Sequence, residues 1–571
     1  MPPLFSAPPS LPDPSGNDPE RARALREARE RYVWDWSWPP GCATLRRLPK
    51  PDAYPLDFVA KTAALQGRVI ANRAALAIDG VDFSKATSRG YLSAAVSDLK
   101  VVAESLQDGA PRTHPEAIED YARYFEELPA PALVGLLRER PQDADLLFAW
   151  QRVAGANPMS LHRITRLLEG FSLGEAHWSA VMGDGSLAQA LDEGRVFAVD
   201  YGFLHGVTTN RYHDRQKYLS GARAVFATAP GPLRPLAIQL EAGGRVFSPR
   251  DGVAWEMARY CFNVADANVH ATMEHLGATH LVMESVGIAA RRQLAEAHPL
   301  RRLLEPHLVG TFAINESAKT SLIAPEGVID RVFAARIDLA AGLVRASLDR
   351  FSLQDRAPSL ELRARGVDDP ETLPEFPYRD DVTRVYAAIE RFVGQYVRVY
   401  YPDDAAVGAD PELRAWVAES GSPIGGALCG VRPVETVDAL ATWMTNIVHV
   451  ASAQHAAVNF PQYPYFGWGA NTAGACWAPP PTQDATREDL LALMPYWDCL
   501  MNQTDTVFQL SGVHYNRLGD YSFRDPRADE AVARFAAELD ALDRAIAESD
   551  AQRRAPYPFL RPSLIPSSIN I

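Results

Sequence analysis

Cysteine is scarce in this sequence: Cys42, Cys261, Cys429, Cys476 and Cys499 are the five thiols in 571 residues. None forms a CxxC pair, the number is odd and the spacings are wide. That argues against a disulfide scaffold and a zinc ribbon, and fits a reducing compartment. Positive charge is also in deficit. Lys and Arg total 57 against 71 Asp and Glu, a formal net charge of -14. Such a chain is a poor match for nucleic acid, and its surface offers no general attraction to anionic membranes. No apolar run has the length needed to cross a bilayer. The opening Met-Pro-Pro-Leu-Phe-Ser has neither the basic nor the apolar region of a secretory signal. The expectation is a cytoplasmic protein without a strong membrane anchor. Internal repeats are lacking as well.

What is present is the composition of a soluble globular protein, 47% hydrophobic and 22% charged. The length is far above that of a single small core. Residues 1–20, rich in Pro, Ser and Asp, read as a flexible arm. Residues 21–180 read as a helical N-terminal part packed on the core, with 55–170 mostly helical and broken at Pro and Gly. Within it, Pro19–Arg31 is a charged, solvated helix. Residues 181–571 form the expected core. Between 195 and 250, Arg195–Asp200, Arg223–Thr228 and Pro235–Leu240 are β-rich, with Gly243-Gly244 as a hairpin turn. From Val253 to about Ala290 the pattern is one long helix buried on most sides. A second long apolar helix spans Val437–Asn459 and stops before Pro461. Residues 528–550 give an amphipathic surface helix. The fold class is mainly α, built around two long helices, with a small β-rich subregion.

The long helices carry candidate metal ligands. His270, His275 and His280 are five apart. Neighbours on one face of an α-helix are three or four apart, so a spacing of five converges only across a π-bulge, a feature common at functional sites. Three histidines in eleven buried residues favour metal over three separate core histidines. Spacing alone does not say which pair binds. His455 and Asn459 are four apart and share a face. The last residue, Ile571, closes an apolar, Pro-punctuated segment of the kind that docks. Imidazoles, an amide oxygen and a carboxylate suit redox-active non-heme iron better than tetrahedral zinc.

These segments resemble lipoxygenases. The similarity runs through Trp255-x-x-Ala258-Arg259, His275-Leu-Gly-Ala-Thr-His280-x-x-x-Glu284, His298-Pro299, Ile314-Asn315 and Ala318-Lys319. It continues in Gln454-His-Ala-Ala-Val-Asn-Phe460 and the closing Ile565-Pro-Ser-Ser-Ile-Asn-Ile571, and covers roughly residues 195–571. It implies a large helical catalytic domain, without the N-terminal β-barrel of many relatives. The implied ligands are His275, His280, His455, Asn459 and the Ile571 carboxylate, with Gln462 contacting Asn459. The implied cofactor is one iron, with manganese a lesser alternative.

The implied activity is oxygenation of polyunsaturated fatty acids with a cis,cis-1,4-pentadiene, of linoleate or arachidonate type, to S hydroperoxides. Ferric hydroxide removes the hydrogen and O2 adds to the opposite face. Fatty acid and O2 are then the partners, and the protein is a monomer. By family position, Ala318 steers stereochemistry, Leu322, Ile329 and Leu510 line the channel, and Val332 and Phe333 limit its depth. Glu284, His298 and His307 are structural. Four positions depart from the family pattern: Ala271, Arg259, Lys319 and Pro461. Ala271 and Pro461, altered near the metal, make hydroperoxide isomerisation on the same fold the alternative activity.

Overall fold

No proline interrupts residues 253–293, and the chain there winds into one rod. Its ends are α-helical, Val253–Val269 and Val282–Gln293, and its middle, His270–Leu281, is a π-helix. The computed structural model describes residues 8–13, 18–75, 113–229 and 231–571. In a π-helix the hydrogen bonds run from i to i+5, so residues five apart come onto one face. The bulge that the histidine spacing requires is therefore present, and it extends over twelve residues.

Glycine and serine let a second helix approach the widened segment. A Cβ on Gly277 would lie 2.9 Å from both Cβ and Oγ of Ser347, in helix Ile337–Arg350. The Ser347 hydroxyl donates to the Met273 carbonyl at 2.7 Å.

The second long helix also changes gauge. It runs as α-helix over Val437–His449, as π-helix over Val450–Gln454, and as α-helix again over His455–Asn459. The stop before Pro461 agrees with the sequence; the π segment has no spacing signal that announces it. Helix Pro377–Tyr400 packs on Val437–His449 and on Pro526–Asp550. The latter buries Ala528, Ala531, Phe535, Leu539 and Ile546, spacings that make one helical face.

Five strands form one antiparallel sheet in sequential order: β1 His162–Arg163, β2 Val196–Asp200, β3 Arg223–Ala227, β4 Arg234–Gln239 and β5 Val246–Phe247. Alternate residues point to opposite faces of a sheet. Phe197, Val199, Ala224 and Phe226 join the main core. Val196, Ala198, Val225 and Ala227 pack instead with Trp178 in a smaller cluster. Both faces are thus covered, which explains the unbroken apolar runs. Pro235 cannot donate to the ladder, and the β3–β4 register shifts beside it, at Val225/Phe226. Gly243 takes φ +71° in the connection to β5.

The N-terminal region differs in part from expectation. Stretches 1–7 and 14–17 of the expected arm, and 76–112 of the expected helical region, lie outside the described residues. Within 113–170, helices Ala132–Glu139 and Ala144–Ala154 alternate with the 3-10 turn Ile118–Tyr124 and with β1, so this region is less helical than its pattern predicts. Helix Pro19–Arg31 buries no residue, yet its charges are not all solvated. Arg21 Nε lies 2.6 Å from Glu412 Oε1, with the Arg21 side chain 10% exposed. Tyr32, Trp34 and Leu45 belong to the main core.

A buried charge cluster ties this region down. Arg291 pairs with Glu305 and with Asp52 (2.9 Å), and Arg301 Nε reaches Glu305 at 2.7 Å. Burial alone would raise the Glu305 carboxyl, but the guanidinium groups of Arg291 and Arg301 outweigh it and hold it at about 2. A depressed carboxyl stabilises the fold above its ordinary value, and that stability is lost as pH falls toward the folded value. The urea midpoint should therefore drop as pH is lowered from about 4.5 toward 2. In Glu305→Gln, that part of the pH dependence should be absent.

Candidate metal centre

The two gauge-shifted helices meet where their histidines face each other. His275 Nε2 lies 3.3 Å from His455 Nε2 and 3.2 Å from His280 Nε2. Among the described residues, these three form the group of His, Cys, Asp or Glu side chains able to hold a metal, with their ligand atoms within 4.8 Å of one another. All three are buried.

Burial pushes His275 and His455 well below the ordinary imidazole value and His280 to about 4. Neighbouring imidazoles add to the effect on His275 and His455. The rings are thus neutral and present lone pairs, the form that binds metal.

The tautomer of His280 is set by a second layer. Its Nδ1 is 2.8 Å from Asn315 Oδ1, so Nδ1 carries the proton and Nε2 is left with its lone pair facing the other two histidines. Asn315 Nδ2 in turn donates to the His280 carbonyl (3.1 Å) and to Glu284 Oε2 (2.9 Å). Glu284 Oε1 accepts from the Leu45 N–H at 2.7 Å. Burial lifts the Glu284 carboxyl to about 7, against those hydrogen bonds. The role of Asn315 has no spacing signal: it lies 35 residues from His280.

His270 stands apart from the cluster. Its Nε2 is 2.7 Å from the Val458 carbonyl, so it bonds one long helix to the other. Asn459 is fully buried, one turn beyond His455. Its Oδ1 accepts from Gln462 Nε2 at 2.8 Å and its Nδ2 donates to the Leu510 carbonyl at 2.7 Å. One lone pair of Oδ1 remains for a further contact. Ile571 is 4% exposed and packs with Phe58, Val513 and Tyr515. A main-chain hydrogen bond links it to His455. Three neutral imidazoles facing one another are a donor set that fits a divalent or trivalent transition metal.

The site opens on an apolar cavity whose free space, counting the part open to solvent, is about 1100 Å³. His275, His280, Gln462 and Ile571 line it, as do Ala318, Leu322, Ile329, Val332, Phe333 and Leu510; His455 and Asn459 do not. Among the described residues, no Lys, Arg, Asp or Glu side chain lines it. Trp38 and Pro39 also contribute, with Trp38 Nε1 donating to the Ile323 carbonyl at 3.1 Å. Their part is invisible in the sequence, since they come from the N-terminal region, more than two hundred residues from the histidines.

The other histidines and Glu284 hold structure. His298 Nε2 bonds Asp410 (2.9 Å) while Nδ1 caps Leu300 N–H (3.1 Å). His307 bridges the Ser567 carbonyl (2.5 Å) and the Tyr521 hydroxyl (2.7 Å).

The family model for lipoxygenases matches residues 111–554. The chain belongs to the lipoxygenase family. It is 37% identical over 483 residues to the linoleate 9/13-lipoxygenase of Pseudomonas aeruginosa, a match covering 77% of this chain and 69% of that protein. It is 31% identical over 457 residues to a hydroperoxide isomerase of Homo sapiens, covering 75% of this chain and 62% of that one. Among solved structures, it superimposes on a lipoxygenase deletion variant crystallised anaerobically in complex with arachidonate. The TM-score is 0.85 at 25% identity, over 99% of this chain and 84% of that one. This lipoxygenase is therefore an enzyme of mainly helical fold, as its sequence pattern predicts. Among its described residues, no helix is long and apolar enough to cross a membrane.

Proposed function

We propose that this lipoxygenase is a non-heme iron dioxygenase acting on polyunsaturated fatty acids with a cis,cis-1,4-pentadiene, of linoleate or arachidonate type, and giving S hydroperoxides. The observation that carries the reading is the neutral three-histidine cluster opening on an apolar cavity. His275, His280, His455, Asn459 and the Ile571 carboxylate would hold the metal. Bound iron supplies the one-electron acceptor and the base that together remove hydrogen from the doubly allylic carbon.

The chain's own residues do the rest. The apolar walls bind the hydrocarbon and exclude water. Leu322, Ile329 and Leu510 hold the pentadiene, while Val332 and Phe333 stop the chain. Ala318, 5% exposed at the start of the π-helical turn Ala318–Leu322, is small enough to leave space above the radical for O2.

Oxygen uptake with linoleate, followed together with conjugated-diene absorbance on protein of known iron content, tests the reading. Uptake matched by diene formation is the expected result. Iron-loaded protein that consumes no oxygen with linoleate or arachidonate would overturn it. Ala318→Gly should move oxygenation toward the R enantiomer and a neighbouring carbon, read by chiral chromatography; unaltered S product would remove Ala318 from stereocontrol.

A second reading, isomerisation of fatty-acid hydroperoxides to epoxyalcohols, is favoured by Ala271. This residue lines the cavity beside the metal site, and the named relatives include a hydroperoxide isomerase. Rearranged products from added hydroperoxide under limiting oxygen would support it; their absence would reject it as the main activity.

A further inference from the structure

Lys217 has no exposed surface. Among the described residues no carboxylate forms an ion pair with it. Its Nζ donates instead to the main-chain carbonyls of Asp330 (2.7 Å) and Phe333 (2.9 Å). Taking an ammonium out of water is expensive unless it is well paired, and burial lowers this amine to about 8. A cation kept at such a cost calls for a reason.

The reason lies in where the two carbonyls belong. They sit in and just after the five-residue helix Val328–Val332. Ile329, Val332 and Phe333 of that segment line the cavity. So short a helix has little stability of its own, and its position depends on what grips it. Asn210 grips it as well: its Nδ2 donates to Asp330 Oδ1 at 2.5 Å and its N–H to the Ala334 carbonyl at 2.9 Å. Asn210 and Lys217 close the base of a two-stranded ribbon, Arg211–Tyr212 with Arg215–Gln216, where the Lys217 N–H meets the Asn210 carbonyl at 3.3 Å. On another side, Ala334 N–H donates to the Gly474 carbonyl at 2.9 Å, and a Cβ on Gly474 would lie 2.8 Å from the Val332 carbonyl oxygen. The cavity wall is thus held between a ribbon and a glycine with no slack.

We infer that Lys217 is a positioning residue that sets the depth of the cavity through the carbonyls of Asp330 and Phe333, and so selects which substrate carbon is oxygenated. Lys217 touches no cavity space itself; it acts through Ile329, Val332 and Phe333. The inference rests on the reading of this cavity as the fatty-acid oxygenation site.

The test compares wild type with Lys217→Met, which keeps an unbranched side chain one atom shorter and removes its donors. Products from linoleate and arachidonate are resolved by position, with iron content and thermal unfolding measured on the same samples. Lys217→Met should change the ratio of positional isomers by about tenfold, the low end for a methylene-scale change in an apolar pocket. Lys217→Arg, which keeps donors, should lie nearer to wild type. A folded, iron-loaded Lys217→Met with the wild-type ratio overturns the inference. Should that variant not fold, Asn210→Ala loosens the same helix from the half-buried ribbon. A shifted ratio then supports the inference and an unchanged ratio overturns it. Wild-type protein that takes up no oxygen overturns the functional reading itself, and shows this before any variant is compared.

Discussion

Appending residues after Ile571 should strip the protein of bound iron. The closing segment is threaded through the interior and bonded at nearly every step. Leu518 N–H donates to the Ile565 carbonyl (2.9 Å), Ser567 N–H to Asn516 (2.5 Å), the Ser568 hydroxyl to Val309 (2.8 Å) and Asn570 Nδ2 to Tyr515 (3.1 Å). An added tail turns the carboxylate into a neutral amide and must find room among Phe58, Val513 and Tyr515. Disturbing even the outer partners of a metal ligand costs about 10–100-fold in affinity, and losing a ligand should cost at least that. Elemental analysis of tagged protein should show iron falling from near stoichiometric to a small fraction. Ile571→Val, which keeps the carboxylate, should retain it. Near-stoichiometric iron in the extended protein would remove Ile571 from the ligand set.

Gly277→Ala should cost about 1–3 kcal/mol, the usual penalty for overpacking, and should weaken the metal site with it. The new Cβ would meet Cβ and Oγ of Ser347 at 2.9 Å. A Cβ cannot rotate away, so the helix Ile337–Arg350 or the π-helix must shift. Gly277 lies between His275 and His280, so a shift of the π-helix reaches both. A lower urea midpoint and reduced iron are the expected readings. Ser347→Gly removes the opposing atoms, at about 1 kcal/mol for glycine in a helix. The double variant should therefore cost less than the sum of the two singles. Strict additivity would mean that this contact is not the cause.

The sequence carried the site unevenly. The five-residue histidine spacing had a geometric meaning, and the π-helix that it demands is present. His270 shares that spacing but bonds Val458 across the helix pair, a distinction periodicity cannot draw because both kinds of histidine are buried. Trp38 and Lys217 escaped notice, and Asn315 was matched without a role, for one physical reason: each acts on a segment distant in the chain, through a main-chain carbonyl or a single amide. Arg21 was read as solvated because its helix is charged all round; its partner, Glu412, is 391 residues away. The β-rich runs were legible as strands, whereas their coverage on both faces depended on a satellite cluster around Trp178 that no local pattern reveals.

The wide gauge of the first helix also fixes what evolution can delete. In an α-helix each residue turns the chain by about 100°. Removing one residue between His275 and His280 would leave the histidines four apart, a spacing that an ordinary helix serves for metal pairs. The pair itself could survive. Everything beyond it would swing by about 100° about the axis, carrying Glu284 away from Leu45 and Arg291 away from Glu305. The extra residue is thus a phase offset between two parts of one rod: one is aimed at the histidine cluster, the other at the N-terminal region, and the π-helix is the joint that lets both be aimed at once.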